Sequence, residues 1–270
     1  MKSERTLFVL VICLGLFSCS VTKNYSADKQ YSKKILQEDY TLLRNILEQK
    51  HPSLYWYTSQ DSMNYYFNEG YQNIADSMTE LQFGWKILAP LVNKIHCGHT
   101  SFSMSKGWNK FIRNKRIPSF PLYLKIWKDT MVVTANLNRK DSIIKKGLLI
   151  TSINGMRSQD MIKKMFGYMV QDGYEDNVNY IRLSTNFPFF HRNVFGIYKN
   201  YSVRYIDSFG NEKKTVLPLF GIADDSLDKL KVVAPLKQKN ISRKEKREKI
   251  RSLQTNNGIS VMTINSFATG

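Results

Sequence analysis

The chain has 270 residues, with 42% hydrophobic and 13% aromatic residues, so it is a folded protein and not a disordered one. Forty Lys and Arg stand against 22 Asp and Glu, a formal charge of +18. That excess invites a nucleic-acid reading, but an export signal and the clustering of the charge exclude nucleic acid as a partner.

Lys2 and Arg5 precede an uncharged apolar run from Leu7 to Leu16 that closes on Leu16-Phe17-Ser18-Cys19. The run is too short for a membrane-spanning helix, which needs about 20 residues. Residues 1–18 read as a signal peptide, and the four closing residues resemble a bacterial lipobox cleaved before Cys19, whose thiol takes the lipid. The alternative is a secretory signal that happens to contain a cysteine. Lipidation at Cys19 places the protein in the cell envelope, on a membrane through its anchor. Residues 19–30 are polar and read as a tether. Cys13 leaves with the signal and Cys19 is acylated, so Cys97 alone stays free and no internal disulfide forms.

A helical domain is expected over residues 31–117. Ile35, Leu36, Leu42, Leu43, Ile46 and Leu47 form one apolar stripe that His51-Pro52 stops. Ser59 caps a second helix bearing Met63, Tyr66, Phe67, Tyr71 and Ile74. Thr79 and Gln82 make a capping box for a third, with Met78 and Phe83 stapling its start. Phe83, Ile87, Leu88, Leu91, Val92 and Ile95 supply its buried face, Pro90 should kink it, and Gly98 should permit the turn after His96.

The pattern changes near residue 118. Pro121 to Trp127 and Met131 to Ala135 read as strands about a Lys128-Asp129 turn, and Leu148 to Ile153 as a third before Asn154-Gly155. Ser158 should cap a helix with Met161, Ile162, Met165, Phe166 and Met169. A mostly helical stretch reaches residue 199, and Tyr201 to Ile206 with Lys213 to Leu219 form a hairpin. Residues 223–257 read as a basic linker. Lys237 to Arg251 holds eight basic residues against Glu245 and Glu248, and no aromatic side chain interleaves to stack on bases. Its open alternative is a patch for anionic headgroups or acidic glycans. Gly258 to Asn265 is a lone strand, which predicts that residues 258–270 begin a domain that is mostly absent.

Three segments in this order resemble the tail-specific, or C-terminal processing, serine protease family, in particular lipoprotein members from Bacteroidetes-like bacteria. They are Lys94-Ile95-His96-Cys97-Gly98-His99-Thr100, then Lys146 through Gly155, then Gly258 through Phe267. The likeness implies an α+β chain: a helical domain, a PDZ-like domain over residues 118–222, and the first strand of a truncated protease domain. It implies hydrolysis of a peptide or protein substrate by an activated serine, with nucleophile and oxyanion hole beyond this chain. Leu148 stands where the family's PDZ-like segment carries an acid, and Ser266 is not the nucleophile.

By its place, His99 resembles the general base of one family branch, although Gly98 stands where that branch has a serine. The other reading is a histidine that closes a helix end. Phe120, Pro121 and Leu122 sit in the segment expected to hold a peptide carboxylate, with Pro121 lacking an amide donor. A purely structural PDZ-like domain is the alternative. No metal site is expected of His96, Cys97 and His99, because a fourth ligand is wanting, and no cofactor is expected. The rival to the protease reading is a non-enzymatic envelope lipoprotein that binds peptides or glycans.

Overall fold

Ser32 ends one short strand and starts a helix, and the helical half is built outward from there. The structure is a computed structural model describing residues 25–113, 115 and 117–221, and the backbone of 251–256 and 259–264. The signal, Cys19, the tether before residue 25, the linker residues 223–250 and Ser266 lie outside the described residues.

Strand β1 (Gln30–Ser32) pairs antiparallel with β2 (Ser77–Thr79). Helix α1 (Lys33–Lys50) stops at His51, whose N–H still reaches the Leu47 carbonyl. Its apolar residues do not form one stripe. Leu36 and Leu47 are buried with Tyr40, whereas Ile35, Leu42 and Ile46 stay about half exposed. The two rows are one residue out of phase, roughly a quarter-turn of helix, and only one of them meets the core. The Tyr40 hydroxyl donates to the Phe67 carbonyl at 3.1 Å, and burial pushes its phenol up to about 12. Helix α2 (Gln60–Gln72) starts as read, with the Ser59 hydroxyl accepting from the Ser62 N–H, and buries Met63 and Phe67 completely.

The Thr79–Gln82 capping box is present at the start of α3 (Glu80–Phe83). Where a kink was expected at Pro90, the chain widens into a π turn (Gly84–Leu88) before α4 (Ala89–Ile95). Proline has no N–H for the carbonyl four residues back and its ring collides with it, and the wider turn absorbs both. Gly84 also matters sterically: a Cβ there would meet the Phe102 ring at 2.9 Å. The turn that ends α4 is made by His96 itself, left-handed at φ 54°, and not by Gly98. Helix α5 (Lys106–Ile112) follows, capped by Ser105.

The second half is a six-stranded antiparallel sheet in the order β3-β4-β5-β7-β8, with β6 pairing β5. The strands are β3 (Leu122–Trp127), β4 (Thr130–Asn136), β5 (Leu149–Ile153), β6 (Met156–Arg157), β7 (Asn200–Ile206) and β8 (Glu212–Pro218). Leu122, Leu124 and Ile126 alternate inward, as the sequence period requires. Asn154 and Gly155, both at positive φ, close the β5–β6 hairpin. Helix α6 (Ser158–Phe166) buries Met161, Ile162 and Met165 against this sheet. Ser158 is not its cap. The capping position is Arg157, and the Ser158 hydroxyl donates to the Ile150 carbonyl at 2.5 Å. Helix α7 (Asn177–Phe195) bends at Asn186, two residues before Pro188, and covers the edge of β3. There the Ser184 hydroxyl accepts from the Ile126 N–H at 2.8 Å.

Helices, then sheet, make an α+β chain, each half having its own apolar cluster. Both halves belong to one unit that ends at Asp224. The other unit, from Asp225, contains β9 (Arg251–Asn256) antiparallel to β10 (Ile259–Ile264). Residues 251–256 are therefore a strand and not linker, and the strand that follows is not alone.

His191 is 1% exposed in a cage of aromatic rings, stacked on Phe120 at 5.1 Å with Phe187, Phe195, Tyr198 and Tyr201 around it. Its Nδ1 has no hydrogen-bond partner among the described residues, and burial lowers its pKa to about 4. The unfolded chain takes up a proton near pH 6.5 that the folded one refuses. Stability should be complete above that pH and fall by about 3 kcal/mol as pH drops towards 4. Denaturant unfolding of wild type and His191→Phe across this range measures it. The variant should lose that part of the slope, and parallel curves would contradict it.

Candidate functional site around the loop after α4

Residues 96–100 form a loop held between the two halves. Asn93, 7% exposed on the last turn of α4, donates its amide to the carbonyls of Phe166 at 3.0 Å and Met169 at 2.7 Å. The Phe166 carbonyl, at the end of α6, also takes the Met169 N–H at 3.0 Å, while the Met169 carbonyl lies just past the helix. The Thr58 hydroxyl satisfies the Lys94 carbonyl at 2.5 Å in the same way.

Beyond Asn93 the contacts continue along one strip. His96 Nδ1 lies 2.9 Å from the Gly173 carbonyl and 3.2 Å from the Gln171 side-chain amide nitrogen. The Gly173 N–H returns a bond to the His96 carbonyl at 2.9 Å. Asp172 takes the Gly98 N–H at 2.7 Å, and a Cβ on Gly98 would meet its carboxyl carbon at 3.0 Å. Tyr174 closes the strip by donating to the Tyr57 carbonyl at 2.7 Å, its ring edge-on to Tyr57.

Inside the loop, His51, Ser53, Cys97 and Thr100 form a polar network. The Ser53 N–H donates to His51 Nδ1 at 3.2 Å, which leaves the proton on Nε2. Nε2 then donates to the Thr100 hydroxyl at 2.7 Å, freeing that hydroxyl's own hydrogen for the Cys97 sulfur. Burial lowers the His51 pKa, which favours the neutral ring. The Thr100 hydrogen bond draws the Cys97 thiol below its usual value; burial opposes this, while the His99 amide and the Ser53 hydroxyl assist and Asp172 resists. The network can stabilise a thiolate.

His99 is exposed, and its ring has no hydrogen-bond partner among the described residues. Its fixed part is the backbone, whose N–H faces the Cys97 sulfur. An imidazole placed this way can take or give a proton, but nothing described here orients it. Phe120, Pro121 and Leu122 lie at the start of β3. Their side chains are buried in the sheet core, and the adjacent Ser119 exchanges two backbone hydrogen bonds with Phe220 at 3.0 and 3.1 Å. Cys19 lies outside the described residues. Among the described residues no three metal-ligating side chains converge, and no helix is long and apolar enough to cross a membrane.

Sequence reasoning did not find Asn93, Asp172 or the His51–Thr100 pair. A Gln-Asp-Gly run at 171–173 signals a turn, but no sequence spacing joins residue 51 to residue 100 or residue 93 to residue 169. If Thr100 carries the thiol effect, Thr100→Val should move the pH midpoint of iodoacetamide alkylation at Cys97 upward, while Thr100→Ser should leave it in place. Cys97→Ser supplies the blank. A midpoint indifferent to Thr100→Val would remove the network from the account.

No family model matches the chain, and no curated protein matches it. Solved structures of the chlamydial protein CPAF do. A serine-to-alanine mutant of CPAF aligns with a TM-score of 0.50 at 12% identity, over 69% of this chain and 34% of that one. Mature CPAF aligns with a TM-score of 0.45 at 12% identity, again over 69% and 34%. Its complex with lactacystin aligns with a TM-score of 0.47 at 11% identity, over 69% and 35%. The chain spans about a third of the length of these structures and has the fold of that part of CPAF.

Proposed function

We propose that this chain is the N-terminal portion of a cell-envelope serine endopeptidase of the tail-specific type, anchored by a lipid on Cys19. The supporting observation is the fold shared with CPAF, a tail-specific-type serine protease, by a chain whose motifs stand in that family's order. In this reading the sheet half is the PDZ-like domain, and β9 and β10 open the catalytic domain. The serine nucleophile and oxyanion hole belong to residues outside this chain, so the chain alone hydrolyses nothing.

His99 is then the general base. It takes the seryl proton during attack on the scissile carbonyl and returns it to the leaving amine. Its loop is fixed by Asp172 and Gly173, while its imidazole stays free to meet a nucleophile supplied by the catalytic domain. The Ser184 hydroxyl already occupies one β3 edge amide, so a peptide joining that edge must displace it.

The test uses the longer protein that carries this chain with a catalytic domain. His99→Ala should lower kcat for a peptide substrate by about 10²–10⁴-fold. The melting temperature should hardly move, because the exposed ring has no hydrogen-bond partner among the described residues. Undiminished turnover would show that another group, such as a lysine, is the base.

A further inference from the structure

We propose that the outer face of α5 is a docking surface for acidic phospholipid headgroups, set against the membrane by the chain's own anchor. The proposal rests on the lipid-anchored reading of Cys19 for its geometry and on α5 for its chemistry. Helix α5 turns Gly107, Trp108, Phe111 and Ile112 partly inward. Its exposed residues are Lys106, Asn109 and Lys110, the capping Arg113 continues them at helical spacing with no acid among them, and exposed Lys115 follows. Lys106, Lys110 and Arg113 form no ion pair among the described residues. Glu80, the acid hydrogen-bonded to the capping Ser105, is already engaged. It accepts from the Ser105 N–H at 2.6 Å, the Ser105 hydroxyl at 2.9 Å and the Tyr25 hydroxyl at 2.8 Å.

Tyr25 fixes where this face lies relative to the anchor. Its ring rests against Phe111 with centroids 5.9 Å apart and sits so close over Gly107 that a Cβ there would stand 2.4 Å from it. The described chain thus begins in contact with α5. From Tyr25 back to Cys19 is six residues, which span about 20 Å at full extension. A lipid on Cys19 keeps the basic face within about that distance of the headgroups. Closer approach brings it inside the Debye length of about 10 Å, where each Lys or Arg gains from an anionic leaflet. The lipid sets the distance, and the three cations choose which side of the fold faces the bilayer.

The test takes the mature chain, residues 19–270 with Cys19→Ser so that no acyl chain contributes. It is floated with vesicles of phosphatidylcholine alone or of two parts phosphatidylcholine to one part phosphatidylglycerol. The chain should float with the acidic vesicles at low salt and detach at high salt. Lys106→Gln, Lys110→Gln and Arg113→Gln together should weaken partitioning by about a hundred-fold. Lys110→Glu alone, checked by circular dichroism for an unchanged fold, should weaken it in the same direction. Lys237→Gln, Lys239→Gln and Lys244→Gln together should matter less. Unaltered flotation of the α5 variants, a larger loss from the 237–244 variant, equal binding to both vesicles, or capture only by an acidic polysaccharide would each overturn the proposal. Acylation of Cys19 is read separately by labelled palmitate, so its failure leaves the flotation result standing.

Discussion

The side-chain amide of Asn93 is the contact on which the described unit turns. Among the described residues it is the side chain of α4 that hydrogen-bonds to the end of α6 and the segment after it, meeting the Phe166 and Met169 carbonyls. Truncating it would take the Asn93 partner from the Met169 carbonyl, at about 1–3 kcal/mol. Once α4 is fixed there, His96 must turn left-handed to bring the chain alongside Asp172 and Gly173, and the loop bearing Cys97, His99 and Thr100 follows. Trp85 reinforces the junction from the π turn, its ring edge-on to Phe189 and Phe190 of α7. An independent helical domain would leave that loop unsupported.

Much of the fold is written in short-range chemistry. The Thr79–Gln82 box, the Ser59 cap, Asn154-Gly155 and the alternation of Leu122, Leu124 and Ile126 each specify backbone over a few residues, so they are legible directly. What escaped reading depends on the partner. Tyr40 is core and Ile46 is not because only the row shared by Leu36 and Leu47 meets α2, and an amphipathic count over α1 alone accepts either row. The pairing of β9 with β10 was obscured by charge: Arg251 opens the strand, and the preceding basic run lent it the look of a linker although Asn257-Gly258 is itself a tight-turn signal.

The candidate site divides in the same way. His99 could be singled out because it stands in a short motif. The atoms that hold its loop come from residues 51, 53, 172 and 173, brought in by tertiary structure alone. The expectation for Phe120, Pro121 and Leu122 concerned backbone amides before a strand; their side chains are buried, and Phe120 lies against His191. The same cage that shields Phe120 leaves His191 without a partner for Nδ1 among the described residues, a buried polar atom whose cost the aromatic packing must offset.

The central claim is that the two halves are coupled through Asn93, and native-state hydrogen exchange tests it most directly. The amides of α4 report one half, and those of Tyr168 and Met169, bonded to Met165 and Phe166, report the other. In Asn93→Ala both sets should exchange faster together, by about ten- to a hundred-fold. Wild-type protection of α4 in that variant, or a change confined to one set, would contradict the coupling.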